Sequence, residues 1–242
     1  MSTPAVPSRK APPAVELVVL DLAGTTVADG GLVVAAFKDA VAARGIGPEH
    51  AAFADMVKYV ERTMGASKLD VFMNLFGGDR ALARAANRAF EEAYQRRIDE
   101  GLCRGIDGAA ETIRQLRSRG FKIALTTGFS PVTRDALLEA LGWGGLADLA
   151  LSPADAGRGR PYPDMILTAV MRLGVSAVGA VAVAGDTAAD IRSGRAAGAG
   201  FVAGVLTGAH SAKTLETASA DAVFPSVAEF GAEIQQRGRG PR

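Results

Sequence analysis

Short apolar runs alternate with amphipathic helical patterns along most of this chain, and this alternation constrains its fold more than any other feature. Runs rich in branched apolar residues predict buried strands at residues 15–20, 122–126, 147–151, 180–184 and 200–205. Helical patterns fill the intervals between them, at residues 107–119, 131–141, 164–173 and 188–197. Strands that alternate with helices pair in parallel through right-handed crossovers. We therefore expect an α/β core with helices on both faces of a parallel sheet, and ligands at the carboxyl ends of its strands.

The interval from residue 31 to residue 101 breaks this alternation, because it carries helical patterns and no strand pattern. Its apolar residues recur at helical spacing, most clearly at Leu82, Ala86, Phe90, Ala93 and Ile98. Glycines at both ends provide plausible hinges, so the interval is predicted to be a cap that closes over the strand ends and excludes water. The predicted division is a core of residues 14–30 and 102–236, a helical cap of residues 31–101, a disordered leader of residues 1–13 and a disordered tail of residues 237–242.

Charge, cysteine content and hydropathy exclude several classes of function. The formal net charge is +1, which provides no extended field for nucleic acid or an acidic membrane surface. Cys103 is the sole cysteine of the sequence, which excludes an intrachain disulfide or a cysteine metal cluster and suits a reducing compartment. The proline-containing start does not read as a signal peptide, and no apolar run approaches the roughly 20 residues that span a bilayer. We therefore expect a cytoplasmic protein whose partner is a small molecule, not nucleic acid or a membrane.

Residues suited to phosphate chemistry follow the predicted strands in a regular order. They are Asp21 with Thr25, Thr127 with Gly128, Arg160 in a loop stiffened by two prolines, and Asp186 with Asp190. An oxygen-rich cluster without sulfur or histidine suits Mg²⁺, a hard ion that bridges a substrate phosphate. Arg160 and Thr127 could neutralise charge on the phosphoryl oxygens while Asp21 attacks phosphorus in line. The alternative is that Asp186 and Asp190 only cap a helix N-terminus, a role that aspartate fills well.

In this order the four motifs resemble those of the haloacid dehalogenase superfamily of phosphotransferases, over about residues 15 to 230. The resemblance implies a Rossmann-like core, an inserted helical cap of the C1 type, a Mg²⁺ ion and an aspartyl-phosphate intermediate. Asp21 would be nucleophile and metal ligand, and Ala23 would bind the metal through its backbone carbonyl. Asp186 would be the second carboxylate ligand, with Asp190 supporting the site. The remaining implied residues are Gly24, Thr25 and Gly128 in substrate binding, and Thr127 and Arg160 in catalysis.

Ala23 departs from the usual superfamily pattern, in which a second aspartate two residues after the nucleophile protonates a departing oxygen. The segment Asp21-Leu22-Ala23-Gly24-Thr25 resembles instead the phosphonatase branch, which breaks carbon–phosphorus bonds. Arg160 in place of the usual lysine of the third motif supports this, as does the sequence MGASKLD at residues 64–70. That sequence resembles a cap motif whose lysine forms a Schiff base with the substrate aldehyde. The resemblance thus implies that Lys68 is catalytic, and that Ala23, Met64, Gly65 and Phe129 contact the substrate.

An imine at Lys68 would remove the difficulty that Ala23 creates. Cleavage of a carbon–phosphorus bond leaves an electron pair on carbon, and an iminium accepts that pair as an enamine. Ser67 and Asp70 have capping-box spacing, which predicts Lys68 in the first turn of a helix, where the dipole disfavours its charged form. The expected substrate is phosphonoacetaldehyde or a related 2-oxoalkylphosphonate.

Two departures from the branch leave other functions open. Val71 and Phe129 stand where phosphonatases commonly carry a histidine and a tyrosine, so proton-transfer groups are missing. One alternative is a phosphomonoesterase that hydrolyses a small phosphate ester without Schiff-base chemistry. Another is a non-catalytic module that binds Mg²⁺ and phosphate. The resemblance also implies a homodimer formed through the cap, although the same alanine-rich faces could form the cap's own core.

Overall fold

The computed structural model describes residues 14–238, so the predicted leader and residues 239–242 of the predicted tail lie outside the described residues. The strands are β1 (Leu17–Asp21), β2 (Val27–Ala28), β3 (Arg104–Gly105), β4 (Lys122–Thr126), β5 (Leu149–Leu151), β6 (Val181–Gly185), β7 (Phe201–Val205) and β8 (Ala222–Phe224). The helices are α1 (Leu32–Ala42), α2 (Phe53–Arg62), α3 (Lys68–Leu75), α4 (Arg80–Asp99), α5 (Ala109–Ser118), α6 (Pro131–Ala140), α7 (Pro153–Ala156), α8 (Asp164–Arg172), α9 (Ala188–Ala197), α10 (Ala212–Thr217) and α11 (Val227–Arg237).

Within the described range, six strands form one parallel sheet in the order β5-β4-β1-β6-β7-β8. This confirms the predicted α/β class, and each of the predicted strands is present with its ends within two residues of the predicted ones. Helix α11 includes Arg237, the first residue of the range predicted as a tail.

Alternate residues of β1 explain why helices cover both faces of the sheet. Leu17 and Val19 pack with residues of α8, α9 and α10 on one face. Val18 and Leu20 pack on the other face with residues of α5 and α11. All five residues of β1 are buried, as expected of a central parallel strand that contributes to two cores. The polar end of this strand, Asp21, is thereby held at the centre of the sheet edge.

Helices α1 to α4 lie between β2 and β3, and we call residues 31–101 the helical insert. Its interior is aromatic, with the ring centroids of Phe37 and Phe72 5.2 Å apart and those of Phe72 and Phe90 6.3 Å apart. Phe90 and Tyr94 continue this cluster toward Phe129 of the core. The insert therefore packs on the strand that ends at Thr126 through the loop that follows it.

An antiparallel ribbon of β2 and β3 connects the two ends of the insert to the core. Val27 pairs with Gly105 and Ala28 with Arg104, so both chain segments enter the insert side by side. The positive φ angles of Gly30, Gly31 and Gly101 lie just beyond the ribbon, in the segments predicted to be hinges. Across residues 14–238, no helix combines the length and apolar character needed to cross a membrane.

Candidate active site

The parallel sheet brings three aspartates together at the carboxyl ends of its central strands. Asp21 ends β1 and pairs in register with Thr126 of β4, while Asp186 directly follows β6. Asp190 lies one turn further along, in α9. Each side chain is buried, and each offers a carboxylate oxygen within 4.8 Å of the others. The sequence prediction that these residues meet is therefore confirmed.

One guanidinium lies among the three carboxylates. Nη1 of buried Arg160 is 2.5 Å from Oδ1 of Asp21 and also contacts Oδ1 of Asp190. Burial raises the pKa of Asp21 well above its usual value despite this cation, and the charges of Asp190 and Asp186 act in the same direction. Burial, and then the charge of Asp190, raises the pKa of Asp186 to about 6. Three carboxylates balanced by one cation favour protonation, so a bound cation would stabilise their ionised forms.

The donor set fits a hard divalent cation. All three groups are oxygen donors, and the backbone of Gly24 passes so close to Asp186 that a Cβ atom there would lie 2.4 Å from Oδ2. Gly24 also has φ of +90°, which a side chain would strain. Because the chain leaves room for the carboxylate, the site suits an ion of the Mg²⁺ type held by Asp21, Asp186 and a backbone oxygen near Ala23.

Local hydrogen bonds decide between the capping and site interpretations of the last two aspartates. Asp190 forms a capping box with Thr187 at the start of α9, so it caps this helix and also faces the cluster. Oδ2 of Asp186 instead accepts a hydrogen bond of 2.7 Å from the Ala209 backbone N–H. Thr25 donates to Oδ1 of Asp186 at 3.4 Å. The helix-capping alternative is therefore correct for Asp190 as an additional role, and does not describe Asp186.

A small cavity of about 20 Å³ lies against Asp21, between the core and the insert. Nine of the residues singled out from the sequence line it: Asp21, Ala23, Met64, Gly65, Lys68, Thr127, Gly128, Phe129 and Arg160. Gly24 and Thr25 do not line this cavity; they lie behind it against Asp186. That volume is far below the roughly 300–1,000 Å³ of ligand pockets, so a substrate can enter only when the insert moves away from the core.

Lys68 reaches this cavity from the insert. It is the first residue of α3, and its backbone N–H donates to the Gly128 carbonyl oxygen at 3.3 Å. Its Nζ lies 5.7 Å from the centre of the Phe129 ring. Burial, and then the positive charge of Arg160, lowers the pKa of Lys68 to about 8, against the raising influence of Asp29, Asp21 and Glu91. A lysine in this setting supplies far more neutral amine near pH 7.5 than an exposed one.

The predicted capping box at the start of α3 is wrong. Ser67 occupies the N-cap position, but within residues 14–238 its side chain makes no cap hydrogen bond, and Asp70 is exposed. Ser67 is instead buried against Gly159 of the core, where a Cβ atom would lie 2.9 Å from that of Ser67. Contact between insert and core, not local capping, fixes the start of this helix.

The loop after β4 offers fewer free donors than the sequence suggested. The Thr127 backbone N–H donates to Leu151, and the Phe129 N–H donates to the Thr127 hydroxyl oxygen at 3.2 Å. The Thr127 hydroxyl hydrogen remains the donor that this residue can direct into the cavity. Arg160 adds another, because its buried Nε has no hydrogen-bond partner within residues 14–238. An anionic phosphoryl group in the cavity would satisfy that orphaned donor.

The insert touches the core closely at Gly65. This residue has φ of +84°, and a Cβ atom there would lie 2.3 Å from Oγ1 of Thr187. Thr187 and Val33 also line the cavity, and sequence reasoning assigned no site role to either. Thr187 could have been found, because it lies within the predicted motif between Asp186 and Asp190. Val33 could not, since an apolar residue on the buried face of an amphipathic helix carries no chemical signal.

Two positions where the branch commonly has polar residues are apolar here. Phe129 stacks on Tyr94 of the insert with ring centroids 4.5 Å apart, and Val71 is buried within the core that joins insert and sheet. His210 accepts a 2.9 Å hydrogen bond at Nδ1 from the Ala188 N–H. It therefore supports the start of α9 beside Asp186, and burial lowers its pKa.

Comparison with known proteins agrees with the fold and the motif order. The sequence-family model of the haloacid dehalogenase-like hydrolases matches residues 15–198. A phosphonoacetaldehyde hydrolase from Bacillus cereus is 32% identical over 212 residues, covering 80% of this chain and 76% of the relative. Another, from Bacillus cereus strain B4264, is 39% identical over 104 residues, which is 43% of this chain and 39% of that relative's length.

A solved structure shows the same fold. The phosphonoacetaldehyde hydrolase-like protein from Oleispira antarctica superposes with a TM-score of 0.78 at 24% identity, and the match covers 100% of both chains. The family model and the relatives agree that this chain is a hydrolase. The chain belongs to the family of haloacid dehalogenase-like hydrolases.

Proposed function

We propose that this protein is a Mg²⁺-dependent hydrolase that cleaves the carbon–phosphorus bond of phosphonoacetaldehyde or a related 2-oxoalkylphosphonate. The observation that carries the proposal is that Lys68 and Asp21 line the same small cavity. One is an amine with a lowered pKa from the insert, and the other is a carboxylate at the end of the central strand. An amine of the insert and a carboxylate of the core beside one cavity suit a short substrate that carries a carbonyl at one end and phosphorus at the other.

The first step belongs to Lys68. Its neutral amine attacks the carbonyl carbon, and loss of water leaves a protonated imine between Nζ and that carbon. Asp21 then attacks phosphorus, the carbon–phosphorus bond breaks, and its electron pair moves into the imine to give an enamine. Arg160 and Thr127, which line the cavity, bind the phosphoryl oxygens through the guanidinium and the hydroxyl. Ala23 suits this chemistry, because no oxygen leaves and no acid is required at its position.

Two hydrolyses complete the cycle. The enamine takes a proton on carbon, and water then releases acetaldehyde and the free amine of Lys68. A second water cleaves the aspartyl phosphate on Asp21 and releases inorganic phosphate. Imine formation releases one water, and the two hydrolyses consume one water each. The net reaction therefore uses one water per phosphonate.

Mg²⁺, when bound by Asp21, Asp186 and the Ala23 carbonyl with Asp190 in support, would screen the charge of the phosphonate from the attacking carboxylate. The helical insert would act as the cap, because it supplies Lys68 and its Gly65 segment packs directly on the core. Function in the cytoplasm and assembly into a homodimer through the insert are parts of the same proposal. They follow from the resemblance and from the sequence composition.

The test of the proposal is borohydride trapping of an imine on Lys68. Because the folded-state pKa of Lys68 is lowered to about 8, the neutral amine predominates above that pH and diminishes below it. With phosphonoacetaldehyde present, we expect the trapping rate to rise between pH 6 and pH 8 and to level off above about pH 8.5. Peptide mass spectrometry would locate the reduced adduct, with exposed Lys58 as an internal control.

Turnover of phosphonoacetaldehyde without any adduct on Lys68 would refute the imine mechanism. Hydrolysis of phosphate esters alone, with no release of phosphate from 2-oxoalkylphosphonates in phosphorus NMR spectra, would establish the phosphomonoesterase alternative instead.

Replacement of Asp186 is expected to remove the metal response of the protein. Mg²⁺ should raise the melting temperature of the wild type, because an ion that binds only the folded state stabilises it. Loss of a residue that only hydrogen-bonds to a metal ligand costs roughly 10- to 100-fold in metal affinity. Asp186→Asn should weaken Mg²⁺ affinity by more than this, because it removes a proposed ligand. Calorimetry at increasing Mg²⁺ concentration measures this, with Asp55→Asn, an exposed carboxylate of α2, as the control. Equal Mg²⁺ responses in both variants would place the metal elsewhere.

A further inference from the structure

We propose that Glu91 is a positioning residue, whose carboxylate fastens the insert to the loop after β4 and thereby holds Lys68 at the cavity of Asp21. The expected effect of Glu91 on catalysis rests on the proposed function of Lys68. The link that Glu91 makes between insert and core rests only on its own contacts.

Glu91 reaches from the middle of α4 to the start of α6. Its carboxylate accepts hydrogen bonds from the Ser130 hydroxyl at 2.7 Å and from the Ser130 backbone N–H at 3.3 Å. It also accepts one from the Thr133 hydroxyl. Ser130 is the N-cap residue of α6, so the negative charge lies where free N–H groups and the helix dipole favour an anion. A carboxylate of the insert thus completes the N-terminus of a core helix.

The segment that Glu91 holds is the loop that borders Lys68. Residues 127–130 connect β4 to α6, and the Gly128 carbonyl oxygen accepts the hydrogen bond from the Lys68 N–H. The Phe129 ring lies beside Lys68 Nζ. The loop is therefore held from two sides, by α3 through Lys68 and by α4 through Glu91. Loss of the Glu91 contact leaves the Lys68 hydrogen bond and the packing of Phe129 on Phe90 and Tyr94 to set the distance between Lys68 and the core.

Burial makes the link between Glu91 and the core specific. Thr133 is buried, and Ser130 and Glu91 are partly buried. Without the carboxylate, the Thr133 hydroxyl would need a new acceptor in a place that water reaches poorly. Glu92, the next residue of the same helix, is exposed. Its replacement by alanine is a matched control, because it removes the same charge from the same helix.

The experiment compares Glu91→Ala, Glu91→Gln and Glu92→Ala with a core-side variant that combines Ser130→Ala and Thr133→Val. We expect Glu91→Ala to lower the rate of borohydride trapping on Lys68 and kcat for phosphonoacetaldehyde about 10- to 100-fold, the scale of a misplaced reacting group. Glu91→Gln should lose less, and Glu92→Ala should match the wild type. The core-side variant should reproduce the loss, and combining it with Glu91→Ala should add little further.

Hydrogen exchange provides a readout that does not depend on activity. Amides of residues 68–72 and 127–133 should exchange faster in Glu91→Ala than in Glu92→Ala, while those of the sheet remain unchanged. The proposal would be overturned if the losses of the two sets of substitutions multiplied in the combined variant. It would also be overturned if Glu91→Ala trapped the imine and exchanged its amides at the wild-type rates. If wild-type protein gave no adduct, the proposed function would fail, and hydrogen exchange would still decide whether Glu91 links insert and core. Glu91→Gln and the core-side variant carry the test if Glu91→Ala does not fold.

Discussion

Lys68→Ala is expected to abolish the release of phosphate from phosphonoacetaldehyde, with a fall in kcat on the order of 10⁴-fold or more, the scale of losing a group that carries covalent chemistry. The amine has no substitute, because within residues 14–238 no other residue that lines the cavity carries a primary amine. Without an iminium, the electron pair of the breaking bond would stay on carbon, and Ala23 offers no acid. Phosphorus NMR of the reaction mixture measures the loss directly.

The same variant separates the two enzymatic interpretations of the site. Acetyl phosphate needs attack by Asp21 but no electron sink, so Lys68→Ala should hydrolyse it within about threefold of the wild-type rate, since the lost group acts only on the carbonyl substrate. Lys58→Ala, a substitution on the exposed surface of α2, should leave both reactions unchanged. Equal loss of both reactions would show that Lys68 serves phosphoryl transfer generally. Retention of both would show that cleavage of the carbon–phosphorus bond does not use Lys68, and would refute the imine mechanism.

The sheet and the meeting of its polar ends were predictable from sequence, because both follow from regular physical rules. A run such as Val18 to Leu20 is apolar on both faces, and parallel strands bring their carboxyl ends to one edge. The ribbon of β2 and β3 was missed because two residues per strand show no periodicity. Strand β8 was missed for a similar reason, since its three residues lie at the sheet edge and are only partly buried.

The site was predictable in its residues and less so in its contacts. Asp21, Arg160 and Asp186 stand in motifs whose order is informative, whereas the absence of a Ser67 cap follows from its packing against Gly159, which is distant in sequence. Glu91 illustrates the limit most clearly. It lies on a helix with many charged residues, and its partner Ser130 is 39 residues away in sequence, so no local pattern distinguishes it from Glu92.

Asp21→Asn is expected to abolish phosphate release from both phosphonoacetaldehyde and acetyl phosphate, with kcat falling on the order of 10⁴- to 10⁶-fold. An amide of the same size cannot act as the nucleophile, and nothing else in the cavity can form the acyl phosphate. Asp190 would still hold Arg160 in place. Asp55→Asn, which changes an exposed carboxylate in the same way, should retain full activity on both substrates.

Because imine formation precedes attack on phosphorus, Asp21→Asn should still condense Lys68 with the substrate. Borohydride should then trap the intact phosphonate on Lys68, whereas the wild type should also yield the ethyl adduct that remains after phosphorus has left. A variant that accumulates the first adduct and releases no phosphate would order the two steps and exclude a module that only binds phosphate. An ethyl adduct in Asp21→Asn would mean that another group accepts the phosphoryl, which is incompatible with an aspartyl phosphate at the end of the central strand.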